Sequence, residues 1–216
     1  MVVMTWSMNR DESGRRALKA TWTSVVVPVP REHRAAIGAS RWVVRGPTGG
    51  VAFIGQGHAL LLPRTTLVPG ALPARPGEIG PIQAAIGDGR TFGVVTSETD
   101  DSNGGPELWL SADGASFGAP IILPLGGDVH ALAPGPLGML VVGGRRGTRG
   151  RALLLGYDRQ AQVITGGVNE RPPLHAAVAG VEGEFWTAGV GFVLRVDRGG
   201  ASEEKIEWAQ EAPAGA

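Results

Sequence analysis

Short apolar runs, each opened by one polar residue and a pair of small ones, recur along the chain at a nearly fixed interval. They begin at Arg34 (RAAIGASRWVVRG), Gln83 (QAAIGDGRTFGVVT), His130 (HALAPGPLGMLVVGG) and His175 (HAAVAGVEGEFWTAG), 49, 47 and 45 residues apart. A period of this length marks stacked units, none of which can bury its apolar face alone. After the small residues each unit turns at a glycine and enters a second run with a larger side chain: Trp42, Phe92, Met139 or Phe185. Third runs read GGVAFIG, PELWLS, RALLLGYD and GFVLRVD, and fourth runs HALLLP, PIILP, AQVIT and KIEWA. Short apolar segments between turn residues are strands. No helical periodicity of convincing length is expected to interrupt them.

Four strands per unit predict an all-β fold of β-propeller type, with about four four-stranded blades spanning residues 34–216 and a fifth, partial blade as an option. The first strand of a blade lies nearest the crowded axis, where Ala35, Ala84, Ala131 and Ala176 would fit and bulky side chains would clash. A β-sandwich with accidental similarity between segments is the alternative. Residues 1–33 fit no complete unit. There VVMTWSMN and ATWTSVVVPV flank a polar turn and read as a hairpin, which either supplies ring-closing strands or forms half of a fifth blade. Four blades is the lower limit for a propeller, so closure by a partner chain is also open, and an unclosed array leaves strand edges that invite pairing.

Between LWL and PIILP stands Ser111-Ala112-Asp113-Gly114-Ala115-Ser116-Phe117. This segment resembles the Asp-box turn of BNR-type propellers, found in sialidases and in many non-enzymatic relatives, which closes the link between third and fourth strands. It is one residue short of the family pattern, with Gly114 directly after Asp113 and Phe117 replacing the usual Trp. Weaker echoes occur at Asp158 and Asp197. In such a turn Asp bonds nearby backbone amides and Gly supplies a positive φ, so the work is structural. A sialidase-like activity, as the resemblance would imply it, needs an arginine cluster and a Tyr nucleophile. Tyr157 is the single tyrosine, and it falls on the outer half of a predicted blade.

Composition narrows the functional classes. The 35 Gly and 16 Pro accompany 43% hydrophobic residues, which suits tight turns between short strands better than disorder. Twenty basic and twenty acidic residues cancel, removing the electrostatic footprint of a nucleic-acid or anionic-membrane binder. All the basic residues except Lys19 and Lys205 are Arg, which reads as a bacterial-like base composition. The absence of Cys excludes disulfides, thiolate metal sites and cysteine nucleophiles. The start, MVVMTWSMNRDESGRR, lacks the apolar core of a secretory signal, and no run approaches the roughly 18 apolar residues that span a bilayer, so a cytoplasmic location is expected.

Chemistry-bearing residues are few. Gly114-Ala115-Ser116-Phe117-Gly118 matches G-x-S-x-G, but the motif needs a helix after the Ser and here APIILP follows. No catalytic residue is assigned. Arg34, Gln83, His130 and His175 share one position in the repeat and would ring one end of the central channel, as a hydrogen-bonded lining or a small-ligand site. Arg and Gln beside two imidazoles make a poor cation site, and His33 and His58 lack ligand spacing, so neither metal nor cofactor is expected. The acidic loop SETDDSNGGPE holds Glu98, Asp100, Asp101 and Asn103, without the spacing of a calcium-binding EF-hand. The basic loop GGRRGTRGR holds Arg145, Arg146, Arg149 and Arg151, with no P-loop ending and no aromatic residues to stack on bases. Opposite charges on one edge of adjacent blades suit a protein partner. The expectation is a non-enzymatic protein-interaction scaffold. A carbohydrate- or small-ligand-binding propeller is the first alternative, and a hydrolase or lyase with an axial active site the second.

Overall fold

A computed structural model describes residues 2–10, 16–24, 28–46, 50–63, 66–74, 80–89, 92–97, 105–144, 149–164, 168, 171–180, 182–197 and 200–204, with side chains from residue 28 onward. Strands β1 (Val2–Arg10) and β2 (Arg16–Ser24) pair as an antiparallel hairpin. Helix α1 (Arg31–Gly38) follows. Four antiparallel four-stranded sheets come next, each in simple chain order. The first blade is β3 (Trp42–Arg45), β4 (Val51–Gly55), β5 (His58–Leu62) and β6 (Val68–Gly70). The second is β7 (Ile82–Gly87), β8 (Phe92–Thr96), β9 (Glu107–Ser111) and β10 (Ile121–Ile122). The third is β11 (Asp128–Gly135), β12 (Gly138–Gly144), β13 (Gly150–Leu155) and β14 (Ala161–Ile164). The fourth is β15 (Leu174–Ala179), β16 (Phe185–Gly189), β17 (Phe192–Asp197) and β18 (Gly200–Glu204).

The first strands β3, β7, β11 and β15 follow one another side by side, and the ends of β3 and β7 meet in a parallel bridge between Arg45 and Asp88. This is a fan of blades, not the two facing sheets of a sandwich. Apolar side chains from adjacent blades fill each seam. Ala52 and Ile54 meet Ile82, Phe92 and Val94; Val95 and Leu108 meet Val141 and Leu153; Leu140 and Leu154 meet Leu174, Phe185 and Leu194. Phe92 and Phe185 are fully buried, and each such side chain contributes about 2–3 kcal/mol by leaving water. A Cβ on Gly135 would lie 2.7 Å from the Phe185 ring, so the bare glycine is what lets the fourth blade close on the third.

Units two and three match the strands expected from the sequence, unit four matches in its first three strands, and the first unit does not. Residues RAAIG form most of α1, preceded by Pro30 at the N-cap and carrying Glu32 in its first turn, an arrangement that favours helix initiation. The unit is therefore read one strand early: Trp42 opens the innermost strand and VAFIG is second, not third. Ala35 lies on the helix, not at the axis. In the fourth unit the last strand is Gly200–Glu204, which pairs with β17 from Asp197 opposite Gly200; KIEWA lies outside the described residues. Helix α1 packs Ala36 and Ile37, with Val29, onto Leu60, Leu62 and Leu67, covering the free face of the first blade. Ser40 fixes it there. Its hydroxyl donates to Ala36 O at 2.9 Å, which leaves the oxygen to accept from His58 Nε2 at 3.0 Å.

Candidate functional site

The two ends of the blades are built differently. At one end lie the starts of β7, β11 and β15, where the strand register slips by a residue at Gln83, His130 and His175. A bulge of this kind re-aims the extra residue's side chain. Gln83 Oε1 accepts from Val129 N at 2.8 Å while its Nε2 donates to Asp128 Oδ1 at 2.8 Å. His130 Nδ1 donates to Leu174 O at 2.7 Å, a carbonyl that can only accept, so the proton sits on Nδ1. Gln83 and His130 thus each grip the first strand of the next blade. In the first blade the same role falls to Gln56 in the β4–β5 turn, which bonds both Ile82 N and Ile82 O at 2.8 Å. His175 stacks on His130 with ring centroids 4.9 Å apart and planes 11° apart.

Three of the four residues expected in a polar ring are therefore brought to one end. Arg34 is not. It sits exposed on α1, with Nε donating to Val29 O at 3.3 Å, because its segment is helical. The β8–β9 and β12–β13 connections open at the same end as the bulges. Glu98, Asp100, Asp101, Asn103, Arg145 and Arg146 lie outside the described residues. Arg149 is exposed and Arg151 half-buried. Among the described residues no group of three or more His, Asp or Glu is placed to hold a metal ion.

The opposite end holds a feature that the sequence reading missed. A cleft of about 500 Å³ runs between the second and third blades, floored by Leu110, Ile121, Met139 and Leu155. Tyr157 and Arg159 from the β13–β14 turn stand at its rim, with Asp88. Tyr157 is 79% exposed, and its hydroxyl donates to Gly135 O at 2.7 Å. A second concavity, of about 640 Å³, lies on the far side of the same ring. Arg159 is the one non-glycine residue with a positive φ among those described, at 63°. Holding a residue with a Cβ there costs about 1–2 kcal/mol, a strain of the kind that collects at functional sites.

The other wall of the cleft is the turn Ser111–Phe117. Asp113 Oδ1 accepts from Ala115 N at 2.8 Å and Ser116 N at 2.9 Å, Ser111 Oγ accepts from Gly114 N at 2.8 Å, and Gly114 has φ 73°. The Ser116 and Ala115 amides, with the Ser111 hydroxyl, hold the Asp113 carboxyl down to about 2. Phe117 packs on Phe92 with centroids 5.6 Å apart. Ser116 donates to Asp113 and precedes an irregular segment and β10, so the nucleophile-elbow context is absent.

No protein-family model matches the sequence, and no curated protein matches it. Solved structures do. A putative gluconolactonase matches over 93% of this chain and 68% of its own length, at 12% identity and a TM-score of 0.54. A calcium-binding regucalcin from Agrobacterium tumefaciens matches over 87% and 61%, at 15% identity and 0.48. YCF48 bound to D1 peptide matches over 74% and 50%, also at 15% and 0.48. These are β-propellers, and the chain has the propeller fold, with about four blades. It spans between half and about two thirds of their lengths. Among the described residues no helix is long and apolar enough to cross a membrane.

Proposed function

We propose that this chain is a non-enzymatic propeller that binds protein partners, and that it takes an extended partner segment into the cleft between the second and third blades. The observation that carries this reading is the pairing of Tyr157, 79% exposed, with Arg159, held at a strained φ of 63°, over an apolar floor. Tyr, Arg and Met are the residues that interfaces enrich, and an aromatic beside a pocket is the usual anchor of binding energy. Around the channel, by contrast, Gln83 and His130 hold neighbouring blades together, which favours a structural role there.

The test is a selection of displayed linear peptides on the immobilised chain, with each enriched peptide then measured against Tyr157→Ala and Arg159→Ala. Binding should weaken at least about tenfold in each variant, equivalent to about 1.4 kcal/mol. Peptides that bind both variants as tightly as the parent would refute the cleft. If no peptide enriches while a neutral sugar raises the melting temperature, the small-ligand alternative takes its place.

A further inference from the structure

We infer that the β1–β2 hairpin docks, through its apolar residue set, on the outer face of the fourth blade, as a fifth, partial station of the fan. The interblade contacts form a series. Gln83 in the first strand of the second blade reaches Val129 of the third, and His130 of the third reaches Leu174 of the fourth. His175 occupies the same bulge in the fourth blade. Its ring is exposed and, among the described residues, makes no hydrogen bond, stacking only on His130. By the rule of the series it awaits the backbone of another strand.

The face beside it is also unfinished. Strand pairing sets Val178, Trp186 and Arg195 in one row across the sheet, and Ala176, Ala188 and Val193 in the next. The opposite rows carry Phe185, Leu194 and Val196, which are buried in the seam with the third blade. Val178 is 60% exposed and Val190, in the β16–β17 turn, 76%. On the first blade α1 covers the corresponding face over Leu60 and Leu62, leaving Val43 on the inner strand 64% exposed. The rows end on Ser202 and Glu204 in β18, so the apolar part of the face is its inner strands, and such a face needs a second layer.

The hairpin is an element in need of the same thing. Its register sets Met4 against Trp22, Trp6 against Ala20 and Met8 against Leu18. The intervening pairs are Thr5 with Thr21 and Ser7 with Lys19. Strand alternation thus gives one apolar and one polar residue set, and a two-stranded hairpin is marginal without something to pack on. A second copy fits the vacancy less well. Head-to-tail stacking would need the first blade's face, where α1 already covers Leu60 and Leu62, and a two-fold contact between fourth blades would offer His175 another imidazole in place of strand backbone.

The chain has no Cys, so engineered pairs report directly. Val178→Cys is combined in turn with Met4→Cys, Trp6→Cys and Met8→Cys, and as controls with Thr5→Cys and Ser7→Cys, then oxidised and read by non-reducing electrophoresis and peptide mass. The expected result is an intramolecular disulfide with at least one member of the apolar set and none with the controls. In parallel, Met8→Lys should cut hydrogen-exchange protection of Ala176–Ala179 at least about tenfold while leaving Val51–Gly55 unchanged. An intermolecular Val178→Cys dimer in place of the internal bond overturns the inference in favour of a second copy. So does folded protein with no internal disulfide and unaltered protection.

Discussion

At the end of the blades where the inner strands begin, polar side chains are turned onto backbone, and at the other end apolar and aromatic side chains are left open. Gln83 and His130 each leave the ladder at a bulge and satisfy a neighbouring blade. The Tyr157 hydroxyl and the Arg159 amide, in the β13–β14 turn, bond instead within their own blade, to Gly135 O and Gly156 O, and both residues stay exposed. The contrast separates two uses of a propeller: the bulged end joins the blades, while the cleft end presents exposed side chains, and a strained Arg stands there because the joining is done elsewhere. Stability and binding should therefore respond to different residues.

Gln83→Met should show the largest loss of stability. The substitution leaves the Val129 amide, at a residue 2% exposed, without its acceptor, and an orphaned buried donor costs about 1–3 kcal/mol. Urea unfolding should register about 2 kcal/mol, with peptide binding at the cleft unchanged. Equal damage to binding would mean that the two ends are mechanically coupled. His130→Phe comes next. It preserves an aromatic ring beside His175 but removes the donor to Leu174 O, for an expected loss of about 1 kcal/mol by the same measurement.

Asp113→Ala is expected to have a smaller effect, and its pH dependence identifies the cause. The folded carboxyl titrates near 2, below the usual Asp value of about 3.9. A depressed folded pKa stabilises the folded state fully above the unfolded pKa and is lost as pH falls through the folded one. The parent should therefore exceed the variant in melting temperature at neutral pH, and the gap should close between about pH 4 and pH 2. A gap that persists at pH 2 would assign the effect to turn geometry instead of charge.

The blades were legible where one cue settled each strand. In units two to four a polar residue, small apolar residues and a glycine turn announce the inner strand, and the bulge residues Gln83, His130 and His175 are the very polar residues that open each repeat. The same cue misled at Arg34, since Ala35-Ala36-Ile37 copies Ala84-Ala85-Ile86 while Pro30 and Glu32 set a helix. Short apolar runs do not fix a period by themselves, and the proline followed by an acidic first turn was the signal available. The cleft was not legible. Leu110, Met139 and Tyr157 come from three turns and strands of two blades, and only packing brings them to one wall.

The finest division between the two ends comes from Arg159→Gly. Relief of a left-handed non-glycine residue returns about 1–2 kcal/mol, and the freer unfolded chain takes back about 0.5–1. A net gain in stability of about 0.5 kcal/mol is expected, which calorimetry on paired samples resolves as a small rise in melting temperature. The same variant should bind selected peptides at least about tenfold more weakly, since it removes the guanidinium from the rim. A residue kept only by turn geometry would give the stability gain alone. Opposite signs for stability and binding at one position would show that the strain persists for the partner's sake, which no variant at the bulged end is expected to show.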